Sequence, residues 1–306
     1  MRARGASGDP AARSARASRR SFLGRGAWAA AGALASSRLA ASARGGEPLF
    51  SAMGIAAPLE RAAELEAAGA QFLTESVGRF LVPEQDEAAF ERSLEALARS
   101  PLPVLACNNF IRPPELRCVG ADAAHDLVLA WSETCFRRLR RAEGRFIVFG
   151  SSGARRLEPG WPRERADEQF VALLRRMAPL AAEHGVVVAL EQLREQECNY
   201  INRLAEAAAI ARAVDHPNLR VLADLYHMAW AGDTPADLEA AMDVVVHVEI
   251  AEKEGRTVPG VDGGDFRPFF EVLRARGYAG AVSIEGRWEI EQLARAFEEI
   301  ARQAAE

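Results

Sequence analysis

The chain has 306 residues, 49% of them hydrophobic, with five His, four Cys and a formal net charge of −5. This balance fits a globular protein and excludes disordered and collagen-like chains. Eight Arg and one acidic residue give the first 43 residues a charge of +7, so the remainder carries −12, which opposes binding to nucleic acid.

The four Cys, at 107, 118, 135 and 198, include no CxxC pair. They predict neither a zinc finger nor a disulfide framework, although an exported chain has room for one bridge.

The basic segment contains Ser18-Arg19-Arg20-Ser21-Phe22-Leu23, then an Ala/Gly-rich run over 26–35, then Ala41-Ser42-Ala43. That order is the order of a twin-arginine export signal with a small-residue cleavage site; a basic disordered tail is the alternative. The expectation is a cleaved leader over 1–43, a mature domain over 44–306, and a periplasmic or extracellular location. The apolar run falls short of the about 20 residues a membrane span requires, so no stable membrane insertion is expected.

From Leu49 onward, short β-branched runs alternate with longer stretches of helical period. The predicted strands are 49–55, 72–74, 104–107, 146–149, 186–190, 221–223, 244–250 and 281–284. Between them lie predicted helices such as 58–68, opened by Pro58 and stopped by Gly69, and 165–183, stopped by His184-Gly185. Eight strands close a barrel, and the length after the leader suits one (β/α)₈ TIM barrel of about 250 residues. An open doubly wound sheet would place a Gly-rich phosphate turn after the first strand. Met53-Gly54-Ile55-Ala56-Ala57-Pro58 has one Gly, so the expected class is α/β, a single-domain barrel.

In such barrels the chemistry collects at the C-terminal ends of the strands. The last four predicted strands each reach a carboxylate there, namely Glu191, Asp224, Glu249 and Glu285. One acidic residue past a strand is ordinarily a helix N-cap or half of a surface ion pair. Four aimed at one mouth repel one another unless a cation is bound or some are protonated. Oxygen-only ligation suits Mn²⁺ or Mg²⁺, with Co²⁺ also admitted, better than zinc.

These positions, together with Asp224-Leu225-Tyr226-His227-Met228, the stretch from His247 to Gly260, Gly264-Asp265-Phe266, Gly277-Tyr278-Ala279-Gly280 and Ser283-Ile284-Glu285, resemble the xylose isomerase-like TIM barrels. That superfamily includes tagatose and psicose 3-epimerases, hydroxypyruvate isomerase and endonuclease IV. The resemblance implies one divalent metal ion on Glu191, Asp224, Glu249 and Glu285, with Glu191 and Glu285 also the acid/base pair that moves a proton through an enediolate. It implies substrate contacts from His227, Arg256 and Glu197. The bland alternatives are a capping or surface histidine for His227 and a solvated loop cation for Arg256. Relatives carry a neutral His or Gln on strand seven where this chain has Glu249. His247 lies two residues earlier on the same strand face: with Glu249 as the ligand it sits one layer deeper, where its ordinary role is a hydrogen-bonded core histidine, and the alternative is that His247 is itself the strand-seven ligand.

Glu75, Asn108 and Ser151-Ser152-Gly153 follow strands two, three and four, where specificity loops belong, and Trp161 and Trp288 are candidate sugar platforms. The implied activity is isomerisation or epimerisation of a small unphosphorylated sugar or hydroxy-keto compound, a carbohydrate partner, in a chain that is open to homo-oligomer formation. A lyase or dehydratase using the same site, and a non-catalytic sugar-binding barrel, are the alternatives. The endonuclease branch uses a His-rich three-zinc cluster, whereas only His227 and His247 fall near this mouth.

Overall fold

The computed structural model describes residues 48–306; the predicted leader lies outside them. Eight parallel strands pair in chain order and β1 closes on β8. They are β1 (Met53–Ala56), β2 (Leu73–Ser76), β3 (Val104–Asn108), β4 (Phe146–Phe149), β5 (Val187–Glu191), β6 (Leu219–Asp224), β7 (Val245–Ile250) and β8 (Val282–Ile284). All eight predicted strands are present, with ends shifted by a few residues. Two shifts matter. Leu49 and Phe50 precede β1 as a buried lead-in, with Phe50 packed edge-on against Phe270 at 5.2 Å. At the other end of its strand, β2 continues two residues past Thr74.

Helices cover the outside. The predicted helix 58–68 is a 3₁₀ turn, Leu59–Arg61, running into Ala62–Ala67, and the long helix spans Arg163–Glu183 with Pro179 inside it. Among the described residues, no helix is long and apolar enough to cross a membrane.

Strand parity divides the side chains into two sets. Ile147, Phe149, Val188, Leu190, Val221, Ala223, Val248 and Ile250 join the large core beneath the helices. Their alternates face the bore, where Ala106, Phe146, Val148, Ala189 and Leu222 form a separate small cluster. His247 also lies in this layer, with its ring 5.4 Å from Phe146 in a stacked arrangement and 6.2 Å from Phe72. Room for Phe72 requires Gly54, since a Cβ there would come within 2.4 Å of the ring.

His247 is core, but the expected hydrogen bond is absent: neither ring nitrogen has a partner among the described residues. Burial lowers its pKa to about 4, so the ring is neutral. The four cysteines are buried free thiols, so the admitted disulfide is not formed.

Candidate active site

Two residues beyond Ala189, Leu222 and His247, on the same strand faces, stand Glu191, Asp224 and Glu249; Glu285 stands two beyond the bore-facing Ser283. The period of the β-strand therefore lifts four carboxylates into one layer above the apolar plug. One oxygen from each of the four lies within 4.8 Å of the others, and one oxygen each from Glu191 and Asp224 and a ring nitrogen of His227 lie equally close. Glu191, Asp224 and Glu249 are buried, whereas the Glu285 side chain is 20% exposed to a cleft of about 330 Å³.

Hydrogen bonding across this group is incomplete. Asp224 caps the helix Leu225–Ala231, its Oδ1 accepting from the Tyr226 and His227 amides at 2.7 and 3.2 Å. Its Oδ2, both Glu249 carboxylate oxygens and His227 Nε2 are buried with no hydrogen-bond partner among the described residues. An unpaired carboxylate is costly to bury, so its protonation equilibrium moves instead. Burial, then Glu285 and Asp224, hold the Glu191 carboxyl well above its usual range; burial, Glu285, Glu191 and Asp224 do the same to Glu249. Burial also raises Asp224 and Glu285, with Arg256 opposing in both.

Arg256, in the loop after β7, is the cation of the site. Its Nη2 is 2.5 Å from Glu285 Oε2 and 3.7 Å from Asp224 Oδ2, and its Nε donates to the Glu285 carbonyl at 3.1 Å. The guanidinium lies 4.6 Å from the centre of the Tyr226 ring. On that ring also lies Arg194, at 5.1 Å, which is 5.5 Å from Trp230, and Lys253 Nζ is 5.2 Å from Trp230. A stack of alternating cations and aromatics thus leads from Glu285 to the surface.

His227 is fully buried, not a surface residue. Its Nδ1 accepts from the Arg194 amide at 3.2 Å, which leaves Nε2, the nitrogen 3.5 Å from Glu191 Oε1, to carry the proton of the neutral ring. Burial, with Arg256 next, lowers its pKa to about 4.

The other predicted residues divide. Asn108 lines the cleft and donates from Nδ2 to Glu285 Oε1 at 2.7 Å. Glu197 also lines it, paired with Arg194 at 2.8 Å and with Arg256 at 3.6 Å. Ser151, Ser152 and Gly153 form one wall.

Glu75 is not brought into the group. Because β2 runs on to Ser76, Glu75 falls inside the strand, at the parity opposite bore-facing Thr74. Its carboxylate is taken by the Leu59 amide at 2.7 Å, the Ser76 amide at 2.6 Å and Arg79 Nε at 2.8 Å. Trp161 and Trp288 do not line the cleft; guanidiniums cover both rings, Arg165 at 4.7 Å and Arg61 at 4.3 Å.

Sequence reasoning misses Asn109 and Arg112 at the rim, and Gly150 and Arg155 beside Glu191. It also misses Glu252, a buried carboxylate that gathers the amides of Gly260 and Gly264 at 2.7 and 3.0 Å and so organises the loop carrying Arg256. Of these, Gly150 alone carries a signal in the sequence, a glycine at a strand end.

The chain belongs to the xylose isomerase-like TIM barrel family, whose model matches residues 59–306. It is 38% identical over 125 residues to a 3-dehydro-D-guloside 4-epimerase of Escherichia coli (strain K12), over 40% of this chain and 47% of that protein. An L-ribulose 3-epimerase of Methylomonas sp. (strain DH-1) is 33% identical over 128 residues, 42% of this chain and 44% of the relative. The chain thus spans about half the length of the curated relatives it matches. Among solved structures, the apo form of a 3-keto-D-glucoside 4-epimerase from E. coli aligns with a TM-score of 0.68 at 25% identity, over 83% of this chain and 98% of that one.

Proposed function

We propose, from membership of this family and from the carboxylate layer, that the protein is a metal-dependent isomerase or epimerase of an unphosphorylated sugar or hydroxy-keto compound. The observation that carries the reading is the set of unpartnered buried atoms on Glu249, Asp224 and His227, at a point where four carboxylate oxygens lie within 4.8 Å of one another. A divalent cation satisfies those oxygens and cancels their repulsion. Glu191, Asp224, Glu249 and Glu285 would hold it, and an all-oxygen set favours Mn²⁺ or Mg²⁺, with Co²⁺ tolerated. When bound, such an ion supplies Lewis-acid polarisation of a carbonyl next to the reacting carbon.

The chain's own residues account for the proton. One of Glu191 and Glu285 removes the hydrogen α to the substrate carbonyl, leaving the C–H electron pair in an enediolate. The other returns a proton, to the opposite face of the same carbon for epimerisation, or to the neighbouring carbon for isomerisation, in which case the hydroxyl proton also passes to the former carbonyl oxygen. Asn108 and Arg256 orient Glu285 through its two oxygens, while His227 and the outer part of Arg256 remain to bind hydroxyls.

The name of the 3-dehydro-D-guloside 4-epimerase makes a keto-glycoside, in which the C4 hydrogen is α to a C3 carbonyl, the first candidate substrate, and that of the L-ribulose 3-epimerase makes a free ketose the second. The leader-like segment 1–43 adds export to the reading, and a location outside the cytoplasm suits unphosphorylated sugars.

The test is Mn²⁺-loaded protein incubated in D₂O with 3-keto-glucosides and a panel of free ketoses. Deuterium should enter at the carbon α to the carbonyl, and EDTA should stop it. Absence of exchange across the panel overturns the reading.

A further inference from the structure

Arg155 is the largest fully buried side chain of the barrel, and the mechanism above makes no use of it. It ends a short helix, Ser152–Arg155, entered through Ser151 in the left-handed region at φ 41°, which turns the chain back toward the end of β4. Its guanidinium donates only to backbone carbonyls, from three segments. Nε bonds Gly150 O after β4 at 2.5 Å, Nη2 bonds Glu191 O at the end of β5 at 2.7 Å, and Nη1 bonds Tyr200 O in the following loop at 3.2 Å. Tyr200 is tied in turn to the long helix through its hydroxyl, 2.7 Å from Asp167 Oδ1.

Filling this space with an apolar side chain would cost less than burying a cation among neutral acceptors, so packing alone does not account for Arg155. What the arginine adds is geometry, because its planar fork bonds three chain segments at once. The segment ends it joins also touch at Glu191: a Cβ on Gly150 would come within 2.2 Å of Glu191 Oε2. With so little clearance, any drift between β4 and β5 moves that carboxylate.

We propose that Arg155 is a positioning residue for Glu191, gripping the backbone on either side of that carboxylate so that its oxygens are presented to the cleft in one place. The importance of that placement rests on the function proposed above; the grip itself does not.

The experiment compares Arg155→Lys and Arg155→Met with wild type in the full chain. Hydrogen–deuterium exchange by mass spectrometry should show amides of 189–202 exchanging at least about tenfold faster in both variants, with β1 and β8 unchanged. Mn²⁺ affinity, read by electron paramagnetic resonance, should fall about tenfold. On a substrate found active, kcat should fall about 10- to 100-fold with KM within about threefold, the expected result of misplacing a group that acts in the transition state. Lys keeps the charge and three donors, but its compact ammonium lacks the planar fork that spans the three separated carbonyls, so it should not rescue. If the Met variant fails to fold, the Lys variant carries the test.

Unchanged exchange over 189–202, or a uniform rise across the whole barrel, would overturn the proposal. So would local loosening with wild-type Mn²⁺ affinity. A wild-type protein that binds Mn²⁺ but exchanges no substrate proton sinks the isomerase reading and leaves Arg155 to be judged by the exchange and Mn²⁺ data. One that binds no Mn²⁺ sinks the metal reading, and the exchange pattern alone then decides.

Discussion

Glu75 and Glu249 are both buried glutamates set within barrel strands, yet they meet opposite fates. Glu75, in the β1–β4 half, accepts from two backbone amides and pairs with Arg79, leaving neither oxygen free. Glu249, in the β5–β8 half, has no partner on either oxygen among the described residues, and three other carboxylates surround it. Burial alone is therefore a poor guide to function. A carboxylate whose hydrogen-bonding capacity is filled by its own chain braces the fold, whereas one left empty must either hold its proton or take a ligand such as the cation proposed above.

The sharpest way to break the comparison is to remove the chemistry from one half. Glu191→Gln and Glu285→Gln should each cost about 10²- to 10⁴-fold in α-proton exchange, followed by NMR in D₂O, while Glu75→Gln should keep the rate of its folded fraction. Next in size is metal loading. Mn²⁺ at about 100 times its Kd stabilises by about 2.7 kcal/mol, or roughly 5–10 °C in Tm for a domain of this size. Calorimetry should find that rise in wild type and in Glu75→Gln, but not in Asp224→Asn.

A smaller effect separates the two glutamates directly in urea unfolding of the metal-free protein. Glu75→Gln should destabilise by about 2 kcal/mol, since it weakens charged hydrogen bonds. Glu249→Gln should stabilise, most of all at high pH. The sign follows from its raised pKa: the unfolded chain loses this proton first, near pH 4.5, so stability falls as pH rises from there toward the folded pKa. The variant should flatten that decline, and so should saturating Mn²⁺.

The smallest effect concerns the apolar plug. His247, with a folded pKa of about 4, takes up its proton later than the unfolded chain does as pH falls, so it withdraws stability between about pH 6.5 and 4. His247→Leu should remove its share of that slope, leaving the share of His227, and be neutral or stabilising by about 1 kcal/mol, measured by unfolding at pH 4.5 and 7. A variant that kept the full wild-type slope would show that the pKa of His247 is not lowered in the folded protein.

Much of this was legible in the chain because period two does most of the placing. Ala189 and Glu191, or His247 and Glu249, stand two apart, so the strand alone sets them on one face and stacks a polar layer over an apolar one. Glu75 shows how fragile the same rule is. Taking β2 to end at Thr74 rather than Ser76 turns a strand residue into a loop residue, and its parity, hence its partner, is lost. Arg155 and Glu252 were illegible for another reason: each acts on backbone groups of segments brought close only by the fold, and nothing in local spacing distinguishes Arg155 in so arginine-rich a chain.

The alternating stack from Arg256 through Tyr226 and Arg194 to Trp230 and Lys253 has a practical consequence. Its outermost indole is 38% exposed and sits between two cations that belong to different loops. Displacement of either cation would change the charge beside that ring, so in a variant whose other four tryptophans are replaced by Phe the emission of Trp230 would report binding at this mouth without a label.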